Sequence, residues 1–172
     1  MTLVQKIDRL IEHSLSALAA DSHVMQWRAK ENNWVNYFAM RYVLQHCRPD
    51  GVISHPAQIG IEVSVPQPPK FEKPTVRRDL VIWPTIGMTC WNESWVPACH
   101  PLAIAEWKVH RPRHPARHVV HEREWLKSYC RWQPSVVAYA IEVDGTKAPV
   151  TITCSRFLGK SAKPNWLTFR CE

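Results

Sequence analysis

Residues 135 to 143, SVVAYAIEV, form a run that is apolar almost throughout. A strand that shows no alternation of apolar and polar side chains is covered on both faces, so it belongs in the middle of a sheet. The chain must therefore supply cover for both sides of that sheet.

Helical periodicity supplies part of it. Residues 3 to 19 place Leu3, Ile7, Leu10, Ile11, Leu15 and Leu18 on one stripe, with Gln5, Asp8, Arg9 and Glu12 opposite. Thr2 is positioned to cap the start. Asp21-Ser22 reads as a break and a new cap, opening a second helix that runs to about Cys47. Trp34, Val35, Phe38, Tyr42 and Val43 form its inner stripe, and Pro49-Asp50-Gly51 ends it.

Strands follow. Residues 57 to 65 alternate Ile59, Ile61, Val63 and Val65 with Gly60, Glu62 and Ser64, the pattern of a half-buried strand, with Glu62 on the solvated side. Residues 66 to 74, PQPPKFEKP, are a proline-rich loop. Residues 76 to 83 make a second strand, 84 to 100 a long loop, and 101 to 109 a third strand. Pro112 and Pro115 break the basic stretch 110 to 118, which cannot be a regular helix. A short helix over 119 to 132 should turn Val120, Trp125, Leu126 and Tyr129 inward. Asp144-Gly145 is a tight turn, leading to a strand over 148 to 157 and a last edge strand over 165 to 171.

The expected organisation is one α/β domain, a mixed central sheet flanked by helices. It comprises N-terminal helices (3 to 47), a core sheet and helix (57 to 143) and C-terminal strands (148 to 171). There is no internal repeat and no linker. No apolar stretch approaches the twenty residues of a membrane span, and the N-terminus lacks the pattern of a secretory signal. Six scattered cysteines form no CxxC pair and read as reduced thiols of a cytoplasmic, intracellular protein. The net charge of +7 favours an anionic partner, nucleic acid before others.

The third strand carries charge where apolar side chains are expected. Leu102, Ile104, Glu106 and Lys108 share one face, and Ala103, Ala105, Trp107 and Val109 the other. Glu106 and Lys108 are therefore about 7 Å apart along one face. In the second strand Asp79 interrupts a similar apolar run and faces with Val81 and Trp83. Antiparallel pairing of the two strands sets Asp79 beside Glu106. Two adjacent carboxylates raise each other's pKa, and a divalent cation relieves the repulsion. Magnesium takes one or two carboxylates, waters and a substrate phosphate, and the Trp107 backbone carbonyl adds an oxygen ligand. Lys108 sits one step away, placed to steady a water or to offset charge on a phosphate. The plainer readings are an ion pair of Glu106 with Lys108, and of Asp79 with Arg77 or Arg78.

Asp79, a connecting loop and Glu106-x-Lys108 resemble the motif of the PD-(D/E)xK nuclease superfamily, the restriction-endonuclease-like fold. The resemblance covers roughly residues 22 to 143, whose order of helix, three strands, helix and strand is that of the superfamily core. It implies that Asp79 and Glu106 bind catalytic magnesium or manganese and that Lys108 assists the nucleophilic water. Arg78 stands where the name motif has proline, and the Asp-to-Glu separation is long. Members often add a glutamate on the helix before the sheet. Glu31 is the candidate here, four residues before Val35 and seven before Phe38, on the apolar face. Its alternative role is a first-turn carboxylate favoured by the helix dipole.

The expected function is that of a magnesium- or manganese-dependent deoxyribonuclease, endonuclease rather than exonuclease, acting alone, as a homodimer or within a larger nucleic-acid-processing complex. Arg111, Arg113 and Arg117, in the basic segment after the active strand, would hold DNA phosphates. Trp91 and Trp95 either stack on DNA or fold back over the core. The alternatives are a non-catalytic nucleic-acid-binding or assembly subunit on the same fold, and a metal-binding module built on His110, His114, His118 and His121.

Overall fold

The structure is a computed structural model and describes residues 1–21, 29–111, 119–146 and 148–171. Helix α1 (Leu3–Ala19) starts with a capping box: the Thr2 hydroxyl accepts the Gln5 N–H and the Gln5 side chain accepts the Thr2 N–H. Helix α2 (Glu31–Arg41) is followed by a 3-10 turn, Val43–His46. Six strands come next: β1 (Ile59–Pro66), β2 (Thr75–Ile82), β3 (Ala103–His110), β4 (Val137–Asp144), β5 (Val150–Leu158) and β6 (Ser161–Cys171). Helix α3 (Val119–Trp132) lies between β3 and β4.

The strands stand side by side in chain order. Neighbours are antiparallel throughout except β3 and β4, which are parallel. A parallel pair needs a crossover, and α3 lies in the connection that provides it. The sheet is mixed α/β in the expected sense, with helices over both faces.

Two apolar layers explain the unbroken run in β4. Val137, Tyr139, Ile141 and Val143 join the layer under α1 and α2. Val136, Ala138 and Ala140 join the layer under α3, with Trp125, Leu126, Tyr129 and Cys130. Asp8 of α1 accepts from the Tyr139 hydroxyl and from Arg156 Nε, each at 2.7 Å, and so ties the first helix to β4 and β5.

Several expectations change. Val120 is 76% exposed rather than inward. The buried stripe of α3 is Trp125, Leu126, Tyr129 and Cys130, and a step of five residues carries Val120 well off that face. The helix that carries Trp34, Val35 and Phe38 begins at Glu31 with Lys30 as its cap residue, and Asp21 accepts the hydroxyls of Tyr37 (3.1 Å) and Tyr42 (2.6 Å). The proposed cap Ser22 lies outside the described residues.

The strand β1 does not alternate as a regular strand would. Ile59 and Ile61 pack in the layer under α1 and α2, while Val63 and Val65 pack under α3. The switch falls at Glu62, whose φ is 54°. That left-handed backbone turns the strand over, and it is uncommon for a residue with a side chain. Strand β2 changes face opposite it, with the register between the two strands unchanged. Val76 and Arg78 lie on the α3 side, Leu80 and Ile82 on the other, and Val81 and Trp83 on the α3 side again. Both irregularities converge on Asp79.

Candidate active site

The ladder between β2 and β3 runs from Ile82↔Ala103 to Leu80↔Ala105 and stops. One step further, side chains replace backbone partners. The Asp79 carboxylate accepts the Trp107 N–H at 2.7 Å, and the Glu106 carboxylate lies 3.4 Å from the Asp79 N–H. The two acids are adjacent, as antiparallel pairing of their strands requires. Trp107 anchors the point from beneath: its fully buried ring lies 4.9 Å from that of Phe38 on α2.

Neither of the plainer pairings forms. Lys108 does not pair with Glu106. Its Nζ donates to Glu31 at 2.8 Å and to the Trp107 carbonyl at 2.8 Å, and lies 3.2 Å from Glu122 of α3. Arg78 pairs with Glu106 at 3.2 Å rather than with Asp79. Asp79, Glu106, Lys108 and Glu31 are therefore joined in one polar group, with Glu31 placed as the partner of Lys108.

Electrostatics follow from burial. Glu106 is 5% exposed. Burial pushes its pKa up to about 8; Arg78 opposes the shift, and Asp79 and Glu122 add to it. Asp79 is pushed up to about 6, chiefly by burial; the Trp107 N–H pulls it down and Glu31 raises it. Burial works against the Lys108 ammonium, but the hydrogen bond and charge of Glu31, then Glu122 and Asp79, outweigh it and raise its pKa.

The oxygen donors on offer are two carboxylates and the Trp107 carbonyl. That set fits magnesium or manganese, which keeps waters in its remaining positions. The fit rests on the hardness of these donors and on two adjacent acids that burial makes costly to ionise without a cation. Among the described residues, no group of three or more His, Cys, Asp or Glu side chains is arranged to hold a metal.

Other candidates stand apart. Arg111 is half-buried, with Nε buried and without a hydrogen-bond partner. Arg113, Arg117, His114 and His118 lie outside the described residues. Arg123 and His110 share Glu142, Lys127 pairs with Glu124, and Arg131 is exposed. Among the described residues after β3, Arg123 and Lys127 are thus paired with acids within the fold. Trp95 is 79% exposed and Trp91 37%, so neither is buried in the core. Glu62 is exposed, as expected, yet close enough for its charge to raise the Asp79 pKa.

The sequence marks Arg78 as a departure from the motif and as a possible partner of Asp79, not of Glu106, and it does not single out Glu122. Arg78 sits beside Asp79, which was a signal. Glu122 lies in another element from Lys108, and nothing in the chain order marks their meeting.

No helix among the described residues is long and apolar enough to cross a membrane. No protein family, curated protein or solved structure matches the chain.

Proposed function

We propose that the chain is a metal-dependent nuclease that hydrolyses phosphodiester bonds in DNA, built on a PD-(D/E)xK, restriction-endonuclease-like core. The observation that carries this reading is the meeting of Asp79, Glu106, Lys108 and the Trp107 carbonyl where β2 and β3 part. A three-stranded antiparallel meander, a crossover helix and a fourth strand parallel to the third support it.

Asp79, Glu106 and the Trp107 carbonyl would hold magnesium or manganese, which supplies Lewis-acid polarisation and a more acidic bound water. The Trp107 N–H fixes one oxygen of Asp79, so that carboxylate is already oriented. Lys108 is held as an ammonium by Glu31 and Glu122, so its role is to donate hydrogen bonds and offset charge on the phosphate rather than to take a proton. Water attacks phosphorus in line with the departing sugar oxygen. The net charge of +7 favours a polyanionic substrate.

One observation favours a second reading, a non-catalytic nucleic-acid-binding or assembly subunit. Arg78 already pairs with Glu106, and Lys108 with two glutamates, so the site is internally compensated. The test is incubation of supercoiled plasmid and single-stranded DNA with the protein in magnesium, manganese or EDTA, beside Asp79→Ala and Lys108→Ala. Metal-dependent cleavage lost in both variants is the expected result. DNA binding that persists in EDTA, with no cleavage in either metal, assigns the chain to the second reading.

A further inference from the structure

Arg78 is the residue of this site that the hydrolytic reading leaves unused. Its guanidinium lies 3.2 Å from Glu106 Oε1, with only 8% and 5% of the two side chains exposed. The guanidinium carbon stands 3.6 Å from the centre of the Trp125 ring. Trp125 is itself pinned, its Nε1–H donating to Gln67 Oε1 at 3.0 Å. Gln67 is fixed in turn by its side-chain bonds to the Lys73 and Thr75 carbonyls. The cation is therefore held in a built slot between an indole and a carboxylate.

That slot is incomplete. Arg78 Nε is buried without a hydrogen-bond partner. A buried donor left unpaired is a cost that the arrangement carries. The carboxylate it faces is also one of the two oxygen sources for a metal. A guanidinium and a dication at one buried carboxylate repel each other at short range in a medium that screens poorly.

We propose that Arg78 is an internal counter-ion that occupies Glu106 in the metal-free protein and competes with the divalent cation for it. The proposal rests on the metal-site reading above. Arg78 thus sets the metal concentration at which the site loads, holding the Glu106 carboxylate until a cation replaces it. Linkage makes the effect reciprocal: metal binding weakens the Arg78–Glu106 pair to the degree that the pair weakens metal binding.

The test is isothermal titration of the full chain with Mn2+, the wild type beside Arg78→Met, Arg78→Lys and Asp79→Ala, with folding checked by circular dichroism. Arg78→Met removes the competitor and should tighten Mn2+ binding about tenfold, within the usual range of coupling between sites. Arg78→Lys keeps a cation but loses the planar stack and fork geometry, so it should bind Mn2+ with intermediate affinity. It also decides the matter where Arg78→Met fails to fold. Mn2+ binding that needs Asp79 but is no tighter in the folded Arg78 variants overturns the counter-ion proposal and leaves the metal-site reading standing. Absence of binding in every protein, or binding that survives Asp79→Ala, overturns both.

Discussion

Lys108 and Glu31 stand 77 residues apart in the chain and meet through a hydrogen bond of 2.8 Å. The bond joins β3 to the first turn of α2. It fixes where the ammonium points and, with Glu122, keeps it charged. Lys108→Ala should reduce DNA cleavage by about 100-fold or more. Glu31→Gln should lower kcat by a smaller factor and leave DNA affinity unchanged, because it misplaces Lys108 without removing it. The Glu31 side chain is 35% exposed, so its substitution should change stability by less than about 1 kcal/mol. Denaturant melts beside cleavage kinetics separate the two effects.

The pair of Arg78 with Glu106 should behave in the opposite way towards stability. Glu106→Ala leaves a nearly buried guanidinium without its carboxylate, and loss of one partner of such a pair costs about 3–5 kcal/mol. Replacing both at once, Arg78→Met with Glu106→Ala, should restore part of that loss. A double-mutant cycle in urea measures the coupling, and strict additivity of the two single changes would contradict it.

At Glu62 the expected change is a gain. Its φ of 54° is one that glycine adopts freely. Glu62→Gly should stabilise the protein by about 0.5–1 kcal/mol, seen as a higher urea midpoint with an unchanged slope.

His46 gives a pH signature away from the site. Burial, then His13 and Arg48, lower its pKa below 6.5. The unfolded chain therefore takes up a proton at higher pH than the folded one. The stability this group contributes is present above pH 6.5 and is lost as pH falls through the lowered value. Asp79 and Glu106 are shifted upward, so in the metal-free protein their contributions run the other way. The measurement is thus a difference: between pH 7 and 5 the wild type should lose more stability than His46→Gln.

Phe38 links core to chemistry. It is fully buried, and its ring lies 4.9 Å from that of Trp107, the residue between Glu106 and Lys108. Phe38→Ala should cost about 3–5 kcal/mol. In the fraction that still folds, cleavage should be slower than in wild type, because the backbone that carries the site loses its support.

Much of this was legible from periodicity. The alternation of β3 separates Glu106 from Trp107, and the unbroken run of β4 requires cover on both faces. Antiparallel pairing then brings Asp79 to Glu106. These are local rules, and they hold where the backbone is regular. They fail at Glu62, because a left-handed residue inside a strand leaves no mark in the pattern of apolar side chains and exchanges the faces of the rest of β1. They fail also for the partners of Arg78 and Lys108. A charge on a strand announces that it needs a partner, but the partner is chosen by the packing of α2 and α3. Val120 shows the converse, since an apolar side chain in the first turn of a helix can lie clear of the sheet.

The most direct test of the account changes one functional group. Glu106→Gln keeps the shape of the side chain and replaces one carboxylate oxygen with an amide nitrogen. The rate of nicking of supercoiled plasmid in magnesium should fall by about 100-fold or more while the circular dichroism spectrum is unchanged. Nicking by a folded Glu106→Gln protein at the wild-type rate would contradict the assignment of this site to phosphodiester hydrolysis.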